Sequence, residues 1–145
     1  MKTNSLLYVL LAIVGVALSG CATGPKFGDI NSTLPQLKSD SGRIYIYRTA
    51  ILGAAIQPDV KLDGQVVGSA KPKGFFYVDC APGGHQISSS TEVTRTLSLT
   101  LDAGQVRYVR LNISMGFLVG HVYPELVEPD QGKDDLAGCS YIGGK

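Results

Sequence analysis

Apolar and polar positions divide this chain into three zones. Residues 6–18 (LLYVLLAIVGVAL) are apolar without interruption. Residues 22–41 (ATGPKFGDINSTLPQLKSDS) have no helical or strand period and are rich in Gly, Pro, Ser, Asp and Asn. That composition reads as a flexible linker, with Phe27, Ile30, Leu34 and Leu37 as points where it can dock. From Gly42 onward the chain runs in short alternating segments, the mark of half-buried strands.

The alternation predicts specific faces. In residues 43–48 (RIYIYR), Ile44 and Ile46 point one way and Arg43, Tyr45 and Tyr47 the other. Both faces carry large groups, so a strand covered on both sides is expected. Residues 60–67 (VKLDGQVV) predict a hairpin turning on Asp63-Gly64. Residues 75–80 (FFYVDC) form the next strand, with Phe76, Val78 and Cys80 on one face. Ala81-Pro82-Gly83-Gly84 turns the chain into a strand over residues 85–90. Residues 94–101 (TRTLSLTL) present Leu97, Leu99 and Leu101 to a core. After a turn over residues 102–105, residues 106–113 (VRYVRLNI) return with Val109, Leu111 and Ile113 inward. Residues 117–123 predict another strand, weakened or bulged at Gly120, and Leu126-Val127 a short addition before Pro129. Residues 130–139 predict a helical turn or two, capped by Asp130 and kept short by Gly132. No long amphipathic helix follows any strand, which argues against parallel βαβ units. The expected fold is all-β: a small sandwich of seven to eight mostly antiparallel strands, with a small barrel as the alternative.

The first zone carries an address. Lys2 precedes the apolar run, which is too short to span a bilayer but fits a signal-peptide core. The run closes on Leu18-Ser19-Gly20-Cys21, which resembles a bacterial lipobox. That resemblance implies a diacylglycerol on the Cys21 thiol, cleavage before Cys21, and acylation of the new amine. Multiple chains provide the stable anchoring that one chain does not. Ala22, rather than Asp, follows the cysteine, which by the same resemblance points to the outer membrane. The organisation is then a signal peptide over residues 1–20, a lipidated Cys21 with its tether through residue 41, and one domain over 42–145.

Composition narrows the function classes. The formal net charge is +1, with 13 Lys plus Arg against 12 Asp plus Glu, so no basic excess points to a nucleic-acid partner. Hydrophobic residues make up 44 % and charged ones 17 %, which excludes a charged disordered chain.

Short motifs then resemble a family. The opening strand Gly42-Arg43-Ile44-Tyr45-Ile46-Tyr47-Arg48, the Asp63-Gly64 turn, the Pro82-Gly83-Gly84-His85 segment and the segment from Ala103 to Arg110 are similar to those of small bacterial lipoproteins of the domain of unknown function 2846. Arg107 stands where an aromatic is common in that family. The resemblance implies an envelope lipoprotein with a β-rich domain, and brings no catalytic residues.

Candidate chemistry is sparse. In an oxidising compartment Cys80 and Cys139 are candidates for a disulfide, which would close a loop of about 60 residues and contribute roughly 4 kcal/mol by chain entropy. A Cys nucleophile would need His85 or His121 as base, and nothing in the spacing aims either at Cys80. The spacing of Cys80, His85, His121 and Cys139 lacks a close metal-ligand pair, so no metal and no cofactor is expected. Two surfaces stand out as interaction candidates. One is Tyr45, Tyr47 and Arg48; the other is the apolar stretch with Ile51, Leu52 and Ile56, read either as an exposed contact loop or as an edge strand in the core. The leading expectation is a non-enzymatic interaction module, lipid-anchored at the outer membrane and facing the periplasm, with an envelope protein as partner. The alternative is a domain that binds a small hydrophobic ligand or lipid between its sheets.

Overall fold

The computed structural model describes residues 20–115 and 120–145. The apolar run 6–18, the lipobox residues Leu18 and Ser19, and Phe117, Leu118 and Val119 of the last expected strand lie outside the described residues.

The domain is a sandwich of two sheets. In chain order the strands are β1 Gly42–Tyr47, β2 Asp59–Leu62, β3 Gln65–Ser69, β4 Gly74–Cys80, β5 Gly83–Ser90, β6 Thr94–Leu101, β7 Val106–Met115, β8 Gly120–Val127 and β9 Ser140–Tyr141. One sheet has the order β8-β7-β1-β4-β9 and the other β3-β2-β5-β6. All pairs are antiparallel except β1 with β7 and β4 with β9. The hairpin forms where the sequence places it. Asp63 (φ 49°) and Gly64 (φ 85°) both take positive φ, the backbone that matches strand twist in a two-residue turn.

Ile44, Ile46, Phe76, Val109 and Leu111 from the first sheet pack against Val60, Leu62, Ile87, Leu99 and Leu101 from the second. This side-chain core fills the space between the sheets. Gly68 lets the Phe76 ring approach: a Cβ there would lie 2.5 Å from Phe76 Cζ.

The five-stranded sheet is covered on its other face too. Tyr45, Tyr47, Phe75 and Tyr108 form a second core with Leu136 and Cys139, so every residue of β1 is buried. Two short helices supply the cover, α1 over Phe27–Ile30 and α2 over Pro129–Ala137. The Phe27 ring meets Tyr45 edge-on at 5.6 Å and Phe75 at 5.5 Å. Tyr108 stacks on Tyr45 with centroids 5.5 Å apart. The segment read as a tether is therefore laid along this face, with Ala22 N–H donating to Pro72 O (2.9 Å) and Arg43 Nη2 to Pro35 O (2.8 Å).

Helix α2 begins earlier than the Asp130 cap expected from sequence. Glu128 takes the cap position and Pro129 the first turn, where its missing N–H is no loss. Gly132 does not stop the helix. It lets α2 pass over the Tyr108 ring, where a Cβ would overlap Tyr108 Cγ.

The expected Cys80–Cys139 disulfide is absent: both thiols are free. The topology explains it. Ser140 pairs with Gly74 at the start of β4, whereas Cys80 ends that strand. Six residues of strand separate the two levels by roughly 20 Å, and a disulfide needs Cα atoms within about 7 Å. The cysteines also belong to different cores, Cys80 between the sheets and Cys139 outside them.

Candidate functional site

Arg48 stands directly after β1 and organises the loop beyond it. Its backbone N–H donates to Gly74 O (3.0 Å), and its side chain is fully buried. No acidic residue occurs from 49 to 58. The guanidinium instead meets main-chain carbonyls. Nε donates to Ala50 O (3.1 Å), Nη1 to Ile56 O (2.6 Å) and Ala70 O (2.7 Å), and Nη2 to Leu52 O (2.7 Å) and Gly53 O (3.0 Å). An arginine carries five N–H donors in a planar fork, and all are used here. Burial pushes its pKa down, yet an arginine starts so high that it stays charged.

This hub shapes loop 49–57. The loop curls around the guanidinium with four of its carbonyls inward, helped by Gly53 at φ +68°. With those carbonyls inside, hydrocarbon turns out: Ile51 is 55 % exposed and Leu52 63 %. Ile56 turns back and packs on the inter-sheet core. The stretch is thus an exposed loop rather than an edge strand.

The other expected surface lies inside. Tyr45, Tyr47 and Arg48 are 5 %, 1 % and 0 % exposed. The tyrosines sit under α1 and α2, and the Tyr47 hydroxyl donates to Asp135 (2.9 Å). Residue type singles out Arg48 in the sequence, but its role is internal. The available signal is a lone charge between an apolar strand and an uncharged loop, which leaves only main-chain oxygens as partners.

Other elements converge at the Arg48 end. The chain enters here: Gln57 Nε2 donates to Gly20 O (3.1 Å), and a Cβ on Gly20 would lie 3.3 Å from Ala54 Cβ. Cys21 comes next and is partly exposed. Gly120, opening β8, lies against Ile56, where a Cβ would sit 2.8 Å from Cδ1. Thr91 in the β5–β6 turn bonds His121 Nδ1 at 3.2 Å. Among the described residues, the exposed large hydrophobics are Ile51, Leu52, Val93, Met115, Tyr123 and Leu126. The first four belong to the connections and strand ends of this one end.

The opposite end is polar. His85 Nδ1 donates to the Asp63 carboxylate (2.7 Å) and Nε2 to Ala81 O (2.8 Å). Both partners are acceptors, which favours the doubly protonated ring, and the Asp63 carboxylate and Ala81 carbonyl raise the His85 pKa. The same imidazolium and the Gln86 N–H hold Asp63 below the usual carboxylate range. His85 therefore has no free nitrogen to serve Cys80. Burial raises the Cys80 thiol, and pushes Cys139 up to about 11, so both are held as neutral thiols at neutral pH. Arg107 reaches the facing sheet, its Nε donating to Thr100 O (3.3 Å), and lines an open groove with Asp63, His85 and Ser98. Among the described residues no cluster of three His, Cys, Asp or Glu could hold a metal ion, and no helix is long and apolar enough to cross a membrane.

Fold and site together define a small two-sheet β-domain with an internally saturated arginine and an apolar loop beside its chain entry. A family model described as "Protein of unknown function (DUF2846)" matches residues 38–122, and the chain belongs to that family. It is also similar to an "Uncharacterized protein" of Haemophilus influenzae, 33 % identical over 139 residues, covering 90 % of this chain and 82 % of that one.

Proposed function

We propose that this protein is a lipid-anchored envelope module, joined to the outer membrane through a diacylglycerol thioether on Cys21 and facing the periplasm. Its sandwich serves as a non-enzymatic platform for another envelope protein. The observation that carries the reading is the position of Cys21. The residue that closes the lipobox-like sequence is partly exposed, and the next residue, Ala22, is fastened to the domain through its N–H on Pro72 O (2.9 Å). An anchor there would hold the domain close to the bilayer rather than on a long leash.

Metabolic labelling of the full chain in bacteria with an alkyne-bearing palmitate tests the anchor. Label on a mature chain beginning at Cys21, lost in Cys21→Ala and after inhibition of signal peptidase II, is the expected result. An unlabelled chain retaining residues 1–20 would overturn the reading. In-cell crosslinking of the lipidated protein tests the platform: one dominant envelope partner is expected, and none above a lipidated control would count against it.

A further inference from the structure

We propose that loop 49–57 is a second membrane contact, with Ile51 and Leu52 entering the same leaflet that holds the lipid on Cys21. This inference rests on the lipid-anchor reading and adds an orientation to it: the Arg48 end lies on the bilayer and the His85–Asp63 end points into the aqueous space.

Three observations choose a bilayer over a protein as the occupant. The first is continuity with the anchor. In the uncleaved chain Gly20 packs on Ala54, which places the adjoining Cys21 beside the loop that exposes Ile51 and Leu52, and the Ala22 N–H bond to Pro72 O (2.9 Å) remains to hold Cys21 at this end once residues 1–20 are removed. A lipid attached at Cys21 enters the membrane beside those side chains. The second is the state of the loop's polar groups. Backbone entering hydrocarbon must have its polar groups satisfied from within the protein. The carbonyls of Ala50, Leu52, Gly53 and Ile56 are already taken by Arg48, so the loop gives up little hydration there on leaving water. The third is charge. Lys71 and Lys73 bracket Pro72, whose carbonyl receives Ala22 N–H, and cations beside the anchor favour anionic headgroups. Of the acidic residues here, Glu92 lies in the β5–β6 turn and Asp59, at the start of β2, is paired with Lys145 (3.1 Å). Arg48 acts as a positioning residue: it makes no contact with lipid and sets the outward turn of Ile51 and Leu52.

The chain contains no Trp, so a single introduced indole reports on one place. The full lipidated protein carrying Leu52→Trp is placed in vesicles of phosphatidylethanolamine and phosphatidylglycerol with brominated acyl chains. Leu126→Trp, at another exposed position toward the far end, is the control. An indole seated at the headgroup–acyl boundary shifts its emission to the blue and loses about half its intensity or more to bromine, while the control stays near its value in unbrominated vesicles. Equal quenching of the two variants, or of neither, overturns the orientation. Ile51→Trp repeats the measurement one residue away, so a fault in one variant does not decide it. Mass spectrometry of each sample separates the two readings. Lipid on Cys21 without selective quenching removes the second contact and leaves the anchor. Absence of lipid on Cys21 removes the anchor and this inference with it. Protein crosslinks through the loop in cells, without quenching in vesicles, would assign the loop to a protein partner and reject the bilayer.

Discussion

At one end of the sandwich the chain reverses on Asp63-Gly64 and on Gly104, in turns that expose carboxylates and main chain to water; at the other it reverses around Arg48 and exposes hydrocarbon. The first end needs only local backbone chemistry, since positive φ at Asp63 and Gly64 closes the hairpin. The second needs a buried cation, because loop 49–57 has no acidic residue to meet a charge and no regular ladder for its carbonyls. The polar turns are tied by an ion pair that water screens, with Asp63 half exposed. The apolar loop is tied by hydrogen bonds buried with Arg48, where an unpaired group has no water to turn to.

The sharpest break in that comparison is Arg48→Ala. It removes all five side-chain donors and strands Ala70 O in the interior. Stability in chemical denaturation should fall by about 3 kcal/mol or more, and Arg48→Lys should recover only part, since an ammonium has three donors. If Arg48→Ala unfolds like the wild type, the loop does not depend on the hub. At the opposite end Gly64→Ala should cost about 1–2 kcal/mol, because φ of +85° strains an L side chain. Its neighbours leave open space for the added Cβ, so the penalty is backbone strain alone.

The smallest effect is the pH response of the polar end. The His85 pKa is raised above 6.5 by Asp63, first, and by the Ala81 carbonyl. Its contribution to stability is therefore complete below 6.5 and fades as pH rises through the higher folded value. Asp63 is depressed below 3.8, so its contribution is present above that value and fades as acid approaches the folded one. Wild type should lose stability relative to His85→Gln as pH rises from mildly acidic to mildly alkaline. A difference that stays flat across that range, or grows with pH, would show that His85 is not an imidazolium in the fold. The five Arg48 bonds, all to main-chain carbonyls, have no titrating partner and should respond little over the same range.

Much of the framework is legible in the chain. Strict alternation in residues 94–101 places Leu99 and Leu101 in the core, and apolar groups on both sides of residues 44–47 foretell a strand buried on both faces. These are local rules of period and turn chemistry. The cover of Tyr45 and Tyr47 is not local: Phe27 and Leu136 arrive from opposite ends of the chain. Cys80 and Cys139 invite pairing because they are two, and sequence says nothing of the strand length that separates them.

Near-neighbour chemistry is enough to mark most strand segments, the turn at Asp63-Gly64 and the all-β class, because side-chain period and positive φ act over a few residues. Packing across the whole chain sets β1 parallel to β7, lays residues 22–41 over a sheet, and brings five carbonyls onto Arg48. Those outcomes depend on which main-chain and side-chain groups meet across distant parts of the chain. A buried charge takes whatever acceptors the fold brings within reach, and the fold brought carbonyls.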